Sequence, residues 1–203
     1  MKLQLTLSKT GEVAKRLALP LTKGAKFHIE LAWDSEHDLD AHALLAMNSG
    51  NGAKVGAFEQ ILSTYGIKQG SVIKNPDGSF RTKCGALTHS GDKRDGRAQG
   101  VDEMITVDTA LIDAAVNEIP FFVTIHGSDK NGATFARVKD ASITIKDEAD
   151  KVLGQYVLSS EFGQFNAVQM GSLMRTATND WEFAEVGSGF NGTFNDILGH
   201  FSE

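Results

Sequence analysis

Four carboxylates, Asp34, Glu36, Asp38 and Asp40, fall within residues 34–40, with no lysine or arginine among them. Side chains two apart on an extended segment project from one face, so Asp38 and Asp40 point the same way. Like charges held that close repel, and one takes up a proton unless a cation or water relieves it. A second acidic stretch runs from Ser90 to Glu103 and carries Asp92, Asp95, Asp102 and Glu103 among the glycines Gly91, Gly96 and Gly100. Those glycines let the backbone turn tightly enough to aim carbonyl and carboxylate oxygens inward. Calcium takes ~6–8 oxygen ligands, and a loop of this kind supplies them. Asp34, Asp38 and Asp40, with Asp92, Asp102 and Glu103, are therefore candidate metal ligands, set against the plainer reading of solvated, turn-forming acids. Glu36 and Asp95 read most simply as surface residues.

An EF-hand is excluded. Asp92 and Glu103 have the separation of its first and last ligands, but Arg94 and Gly96 occupy the third and fifth positions. Arg97 stands where the sharp turn needs glycine, and a strand-like EMITVD follows where a helix belongs. Zinc chemistry lacks its spacing as well, because the six histidines form no His-x-His or His-Glu-x-x-His pattern. His42 shares a face with Asp38 and Asp40, either lining a cleft or standing as an exposed strand residue. Cys84, the only cysteine, excludes an internal disulfide and a thiolate cluster, and without a placed base it is an inert thiol. Gly187 to Gly192 spells G-x-G-x-x-G, but only 11 residues follow it, too few for a dinucleotide fold, so it reads as a glycine-rich turn.

Period-2 patterning supplies the elements that position these residues. Residues 2–7, 26–33, 38–45, 103–108, 121–126, 141–145, 151–158 and 181–186 alternate polar and apolar side chains. Asn75-Pro76-Asp77-Gly78, Asn131-Gly132 and Gly187-Ser188-Gly189 separate them as turn signals. Helical patterning is confined to 109–116, ahead of Pro120, and 193–201. Short strands that do not alternate with long helices predict a mainly all-β fold, a two-sheet β-sandwich with one or two short helices. No linker or internal repeat interrupts the chain, which predicts a single domain over 1–203.

The 203 residues are 41% hydrophobic and 23% charged, the composition of a folded protein, and the formal charge of −6 lacks the basic face of a nucleic-acid binder. The longest apolar run, Ile119 to Ile125, is far too short to span a bilayer, so no direct membrane insertion is expected. The first residues carry charges where a signal peptide needs an apolar stretch, and the expected setting is a reducing cytoplasm.

Three features together resemble the TerD (tellurium-resistance) domain family. They are Trp33-Asp34 followed by Asp38-Leu39-Asp40-Ala41; His89, Gly91-Asp92 and Gly96 leading to Gly100 through Ile105; and Arg175 ahead of Trp181, Phe183, Gly187 and Gly189. Order and spacing match over roughly residues 20–200. The resemblance implies a β-sandwich with an acidic calcium-binding cleft, its carboxylates drawn from the two stretches above. It also implies an association with tellurite resistance, stress and phage defence in bacteria. Family members usually read Gly-Asp-Gly-Asp-Asp-Glu where this chain has Ala98 to Glu103, so Gln99 and Val101 replace two carboxylates. Lys93 replaces a usual Asn, and Asp95 stands where Thr is common, restoring one ligand in the metal reading. Residues 92–103 hold four acids and three bases, so the expectation is one or two Ca2+ ions at reduced affinity.

The favoured reading is a non-enzymatic calcium-binding module of a tellurite-resistance or stress-response assembly. In it, the ion bridges the Asp38/Asp40 strand to the loop and orders a surface for protein partners. Two alternatives stay open: a structural or phage-associated assembly protein with a weakened metal site, and a divalent-metal-dependent hydrolase.

Overall fold

The computed structural model describes residues 16–21, 24–48, 52–97 and 99–202; the alternating segment at 2–7 lies outside them. The first strands are β1 (Arg16–Leu21), β2 (Lys26–Ala32), β3 (Leu39–Leu44), β4 (Ala46–Asn48), β5 (Ala53–Lys54) and β6 (Ile61–Leu62). Helix α1 (Thr64–Gln69) follows, then β7 (Val72–Lys74), β8 (Phe80–Thr82), β9 (Leu87–His89), β10 (Glu103–Asp108) and β11 (Val116–Ile125). After α2 (Ser128–Asn131) come β12 (Ser142–Asp147), β13 (Val152–Val157), α3 (Leu158–Glu161), β14 (Ala167–Arg175), β15 (Trp181–Phe190) and α4 (Phe194–Phe201).

Among the described residues these strands form two antiparallel sheets. One runs β1-β15-β14-β11-β3-β6, with β4 also on β11 and β5 on β4; the other runs β13-β12-β2-β10-β9-β8-β7. The mainly all-β, two-sheet fold read from alternation is the fold observed. Register explains why: Phe27, Ile29 and Leu31 of β2 alternate inward, with Ile105 opposite Ile29 and Val107 opposite Phe27. They join Leu39, Ala41 and Ala43 of β3 and Phe121 and Val123 of β11 in one buried core. Residues directly opposite on paired strands share a face, so both sheets present continuous apolar surfaces to each other.

The outer face of the first sheet departs from simple alternation. Phe194, Ile197 and Phe201 of α4 lie at helical spacing and pack on Leu44 and Phe122, forming a second buried cluster. Strands β3 and β11 are consequently buried on both faces, which is why Ile119 to Ile125 reads as an unbroken apolar run. His42 is therefore not exposed: it is fully buried, sandwiched by stacking on Phe194 at 4.2 Å.

Two local readings are corrected. The helix expected over 109–116 is only a 3-10 turn at Thr109–Leu111, begun by the Asp108 side chain accepting from the Ala110 N–H, before β11 starts at Val116. The Gly187-Ser188-Gly189 turn lies inside β15, where the pairing with β14 shifts register between Gln169 and Gly171. Gly187, at φ 55, supplies the left-handed residue of that bulge.

Candidate metal cleft

The segment between β2 and β3 and the loop between β9 and β10 meet at one side of the sandwich, and their local sequence fixes the meeting. Trp33 is buried, and its indole Nε1 donates to the His37 carbonyl at 2.7 Å, closing the turn that carries Asp34 to Asp38. Gly96 rests on that indole: a Cβ at Gly96 would stand 2.3 Å from the ring, so no larger residue fits, and the Gly96 N–H donates to the Ser35 carbonyl. The loop's ends are tied as well, with the Asp102 N–H on the Leu31 carbonyl and the Ser90 N–H on the Met104 carbonyl. Gly91 turns at φ 122 against the Gly78 carbonyl.

This arrangement gathers Asp38, Asp40 and Asp92, each offering a carboxylate oxygen within 4.8 Å of the others. Asp40 is 2% exposed; Oδ1 accepts from Thr64 Oγ1 at 2.9 Å, while Oδ2 has no hydrogen-bond partner. His126 Nδ1 stands 3.4 Å from that Oδ2, near enough for charge attraction but not aligned to donate to it. Asp38 Oδ1 is buried and likewise without a partner. Burial, then the neighbouring charges of Asp40 and Asp92, pushes the Asp38 carboxyl up to about 6. Burial, then the charge of Glu103, pushes Asp40 up to about 6 against the Thr64 hydrogen bond and His126. A buried and a half-buried carboxylate, each with one unsatisfied oxygen and gathered beside a third, exposed one, are the electrostatic form of a site for a hard cation.

The other sequence-predicted ligands sit differently. Glu103 is fully buried behind the cluster: Oε2 accepts from the Ala41 N–H at 2.8 Å and Oε1 from the Lys93 N–H at 3.3 Å. Strand β6 pairs with β3 only at Ala43 and Leu44, so Glu103 satisfies an edge amide that no strand reaches. His89 Nε2 lies 3.2 Å from Oε2, and its Nδ1 accepts from the Gly91 N–H, leaving Nε2 to carry the proton on the Glu103 side. Burial raises the Glu103 carboxyl, opposed by His89. Asp102 accepts from the Trp33 N–H at 3.0 Å and lines the cleft beside Lys93, whose Nζ is 4.0 Å away. Asp34 and Asp95 are not drawn in. Asp34 pairs with Lys139, and Asp95 pairs with Arg97, which holds its carboxyl down at about 2.

The cleft around the cluster has a volume of about 1050 Å³. Its walls carry residues that sequence spacing does not reveal: Thr64, Tyr65 and Lys68 from α1, Lys74 from β7, and His126 at the end of β11. Their signal is register, since His126 reaches Asp40 only because β11 pairs with β3 as Thr124 opposite Asp40. The loop also brings two cations, and Arg94 Nε donates to Asp92 Oδ2 at 3.1 Å. Beneath the site, His42 is held between Ser63 Oγ at 3.0 Å and Thr124 Oγ1 at 2.9 Å, and burial lowers it to about 3, so the ring is neutral.

Comparisons with known proteins agree with this fold. The chain is 26% identical over 206 residues to the tellurium resistance protein TerD of Serratia marcescens, covering 98% of this chain and 97% of that one. It is 32% identical over 195 residues to general stress protein 16U of Bacillus subtilis (strain 168), covering 90% and 92%. A crystal structure of a homologue of telluride resistance protein (TerD) from Streptomyces coelicolor A3(2) superposes with a TM-score of 0.68 at 19% identity, over 86% of this chain and 95% of that one, a likeness of fold. The model of the TerD domain matches residues 4–201, and the chain belongs to the TerD domain family.

Proposed function

We propose that the protein is a non-enzymatic module that binds one divalent cation, calcium by preference, and takes part in a tellurite-resistance or stress-response assembly in the cytoplasm. The observation that carries the reading is the gathering of Asp38, Asp40 and Asp92 carboxylate oxygens within 4.8 Å of one another, with two buried oxygens of that group, Asp38 Oδ1 and Asp40 Oδ2, left without hydrogen-bond partners. Oxygens gathered this closely fit within one coordination sphere, and calcium, which takes ~6–8 oxygens in flexible geometry, accepts an irregular carboxylate set more readily than magnesium, which demands a near-ideal octahedron. Asp38, Asp40 and Asp92 would hold the ion, with Asp102 beside them and Glu103 as the buried support. The bound charge offsets the burial cost and the repulsion that together raise both carboxyls, and it ties the β9–β10 loop to β3. A surface built from that loop is then present for protein partners only in the loaded state. The names of the relatives supply the physiological setting. No nucleic-acid role is proposed, and among the described residues no helix is long and apolar enough to cross a membrane.

A second reading rests on one observation: Arg94 and Lys93 already neutralise part of the cluster. In that case the chain is a structural assembly protein whose site is closed by its own cations. A thermal melt of EDTA-treated protein, titrated with calcium and separately with magnesium, decides between them. An ion at ~100 times its dissociation constant stabilises by ~2.7 kcal/mol. A calcium-selective rise in Tm, absent in Asp38→Ala, supports the calcium module, and a flat response in wild type gives the scaffold reading the lead.

A further inference from the structure

Four basic side chains surround a cluster proposed to attract a divalent cation. Lys68 and Lys74 stand on the wall made by α1 and β7, and Lys93 and Arg94 on the loop wall. A site for a cation alone gains nothing from them, because each raises the energy of a positive ion placed at Asp38 and Asp40. Arg94 is engaged by Asp92, and Lys93 lies near Asp102. Lys68 and Lys74 are exposed and, among the described residues, take no hydrogen bond or ion pair. The cleft is also far larger than an ion requires, its 1050 Å³ being at the upper end of the ~300–1,000 Å³ typical of small-molecule sites. Tyr65 is 40% exposed on its wall and Val101 46%, with Ile67 and Met104 adding apolar surface.

From this juxtaposition we infer that the cleft binds a phosphorylated small molecule, its phosphate bridging the cation to Lys68 and Lys74 and its organic part lying against Tyr65. The inference rests on the cation reading above and adds the ligand class. Charge matching favours the phosphate. Of the six cleft acids, Glu30 is neutralised by Lys146 at 2.7 Å, leaving Asp38, Asp40, Asp77, Asp92 and Asp102 against four bases. A divalent ion turns that balance positive by one charge, with the two free lysines together on one wall. A dianionic phosphate, with three terminal oxygens, can take an open position on the ion and reach a lysine at once, as a carboxylate with two oxygens does less readily. The stacked rings of Tyr65 and Phe194, 5.5 Å apart, hold the tyrosine in place as a platform.

The reciprocity of coupled binding supplies the test. Calorimetric titrations are run with calcium alone, with phenyl phosphate alone, and with phenyl phosphate on calcium-loaded protein, keeping both ligands dilute enough to stay in solution. Calcium is expected to tighten phenyl phosphate roughly fivefold or more, and phenyl phosphate to tighten calcium by the same factor. The Lys68→Ala/Lys74→Ala protein, altered only at exposed positions, should bind calcium at least as tightly as wild type. It should lose roughly tenfold in phenyl phosphate affinity, with and without calcium, while the tightening by calcium, which arises at the ion, persists. Calcium binding with no effect of phenyl phosphate, or undiminished phenyl phosphate affinity in the double variant, overturns the inference and leaves the cation reading standing. Absence of calcium binding in wild type overturns both. Inorganic phosphate binding as tightly as phenyl phosphate removes the role assigned to Tyr65 and overturns the small-molecule class.

Discussion

The two halves of the cleft solve the same electrostatic problem in opposite ways. The strand half is Asp40 on β3 and Asp38 just ahead of it, whose carbonyl accepts from the His126 N–H. It carries no base of its own; burial first and neighbouring carboxylates second raise both carboxyls to about 6, and two of their oxygens have no hydrogen-bond partner. The loop half, residues 90–102, brings Lys93, Arg94 and Arg97 with its acids and pairs them within two residues or across the loop. Buried charges on a strand cannot move to find partners, whereas exposed ones on a glycine-rich loop can. The strand half is therefore where unfavourable charge is held and where an added cation acts most strongly. The loop half tunes how freely the cation enters.

The largest expected effect lies in the strand half. Asp40→Asn keeps an acceptor for Thr64 while removing the buried charge. Because burial and Glu103 raise the Asp40 carboxyl, its ionised form destabilises the folded protein, with the sign opposite to that of a salt-bridged acid. That penalty is absent near pH 4, builds as pH rises towards about 6, and is constant above. In EDTA at pH 7.5 the variant should be more stable than wild type by on the order of 1–3 kcal/mol, several degrees in Tm, with the gap closing towards pH 4. In calcium the order should reverse, because the variant forfeits the ion's ~2.7 kcal/mol. A variant less stable than wild type in EDTA at pH 7.5 would show that the strand half carries no such buried-charge penalty.

Next comes the hinge between the halves. Gly96→Ala places a methyl group 2.3 Å from the Trp33 ring, which is itself packed in the core. Overpacking of this kind costs ~1–3 kcal/mol, and the loop can escape it only by lifting away from the strand. Calcium stabilisation should weaken although no ligand has changed, and hydrogen exchange should rise at the Gly96 amide that donates to Ser35. An unchanged calcium response would mean that the strand half alone holds the ion.

How much of this was legible beforehand follows the same division. Alternation placed β2, β3, β10 and β12 because each has an inward face, and α4 followed from the spacing of Phe194, Ile197 and Phe201. The burial of His42 was not legible, since it depends on a helix 150 residues later covering the second face of β3. The acidic stretches marked the cleft, but composition alone does not distinguish Asp38 from Asp34. That distinction depends on Trp33 turning the chain and on Lys139, just ahead of the neighbouring strand β12, pairing with Asp34. Thr64 and His126 were invisible for the same reason, being brought in by register.

Arg94→Gln sharpens the loop half. The guanidinium donates to Asp92 and lies in the field of Asp38 and Asp40, so it competes with any cation for the same oxygens. Its removal should tighten calcium roughly two- to fivefold at low salt, and less at 0.5 M salt, where exposed charges are screened. An unchanged affinity would show that the loop's cations do not tune entry, and a weaker one that Arg94 positions Asp92 for the ion.

The smallest effects should come from the two acids that composition marks and geometry sets aside. Asp34 is half-exposed on Lys139, and Asp95 is held by Arg97 on the outer side of the loop. Asp34→Asn and Asp95→Asn each remove one partner of an exposed pair, which rarely matters to stability. Tm should stay within about 1–2 °C of wild type, and the calcium titration should superimpose on it. The pair separates two explanations of an acidic cleft. If affinity follows total negative charge, every carboxylate in the two stretches should count alike, and both substitutions should weaken calcium as Asp38→Ala does. If it follows desolvated oxygens without partners, the strand half should respond most, Asp92, exposed and held by Arg94, less, and Asp34 and Asp95 not at all. The local distances favour the second, because an oxygen already in contact with a lysine or arginine must give up that contact before it can serve an ion.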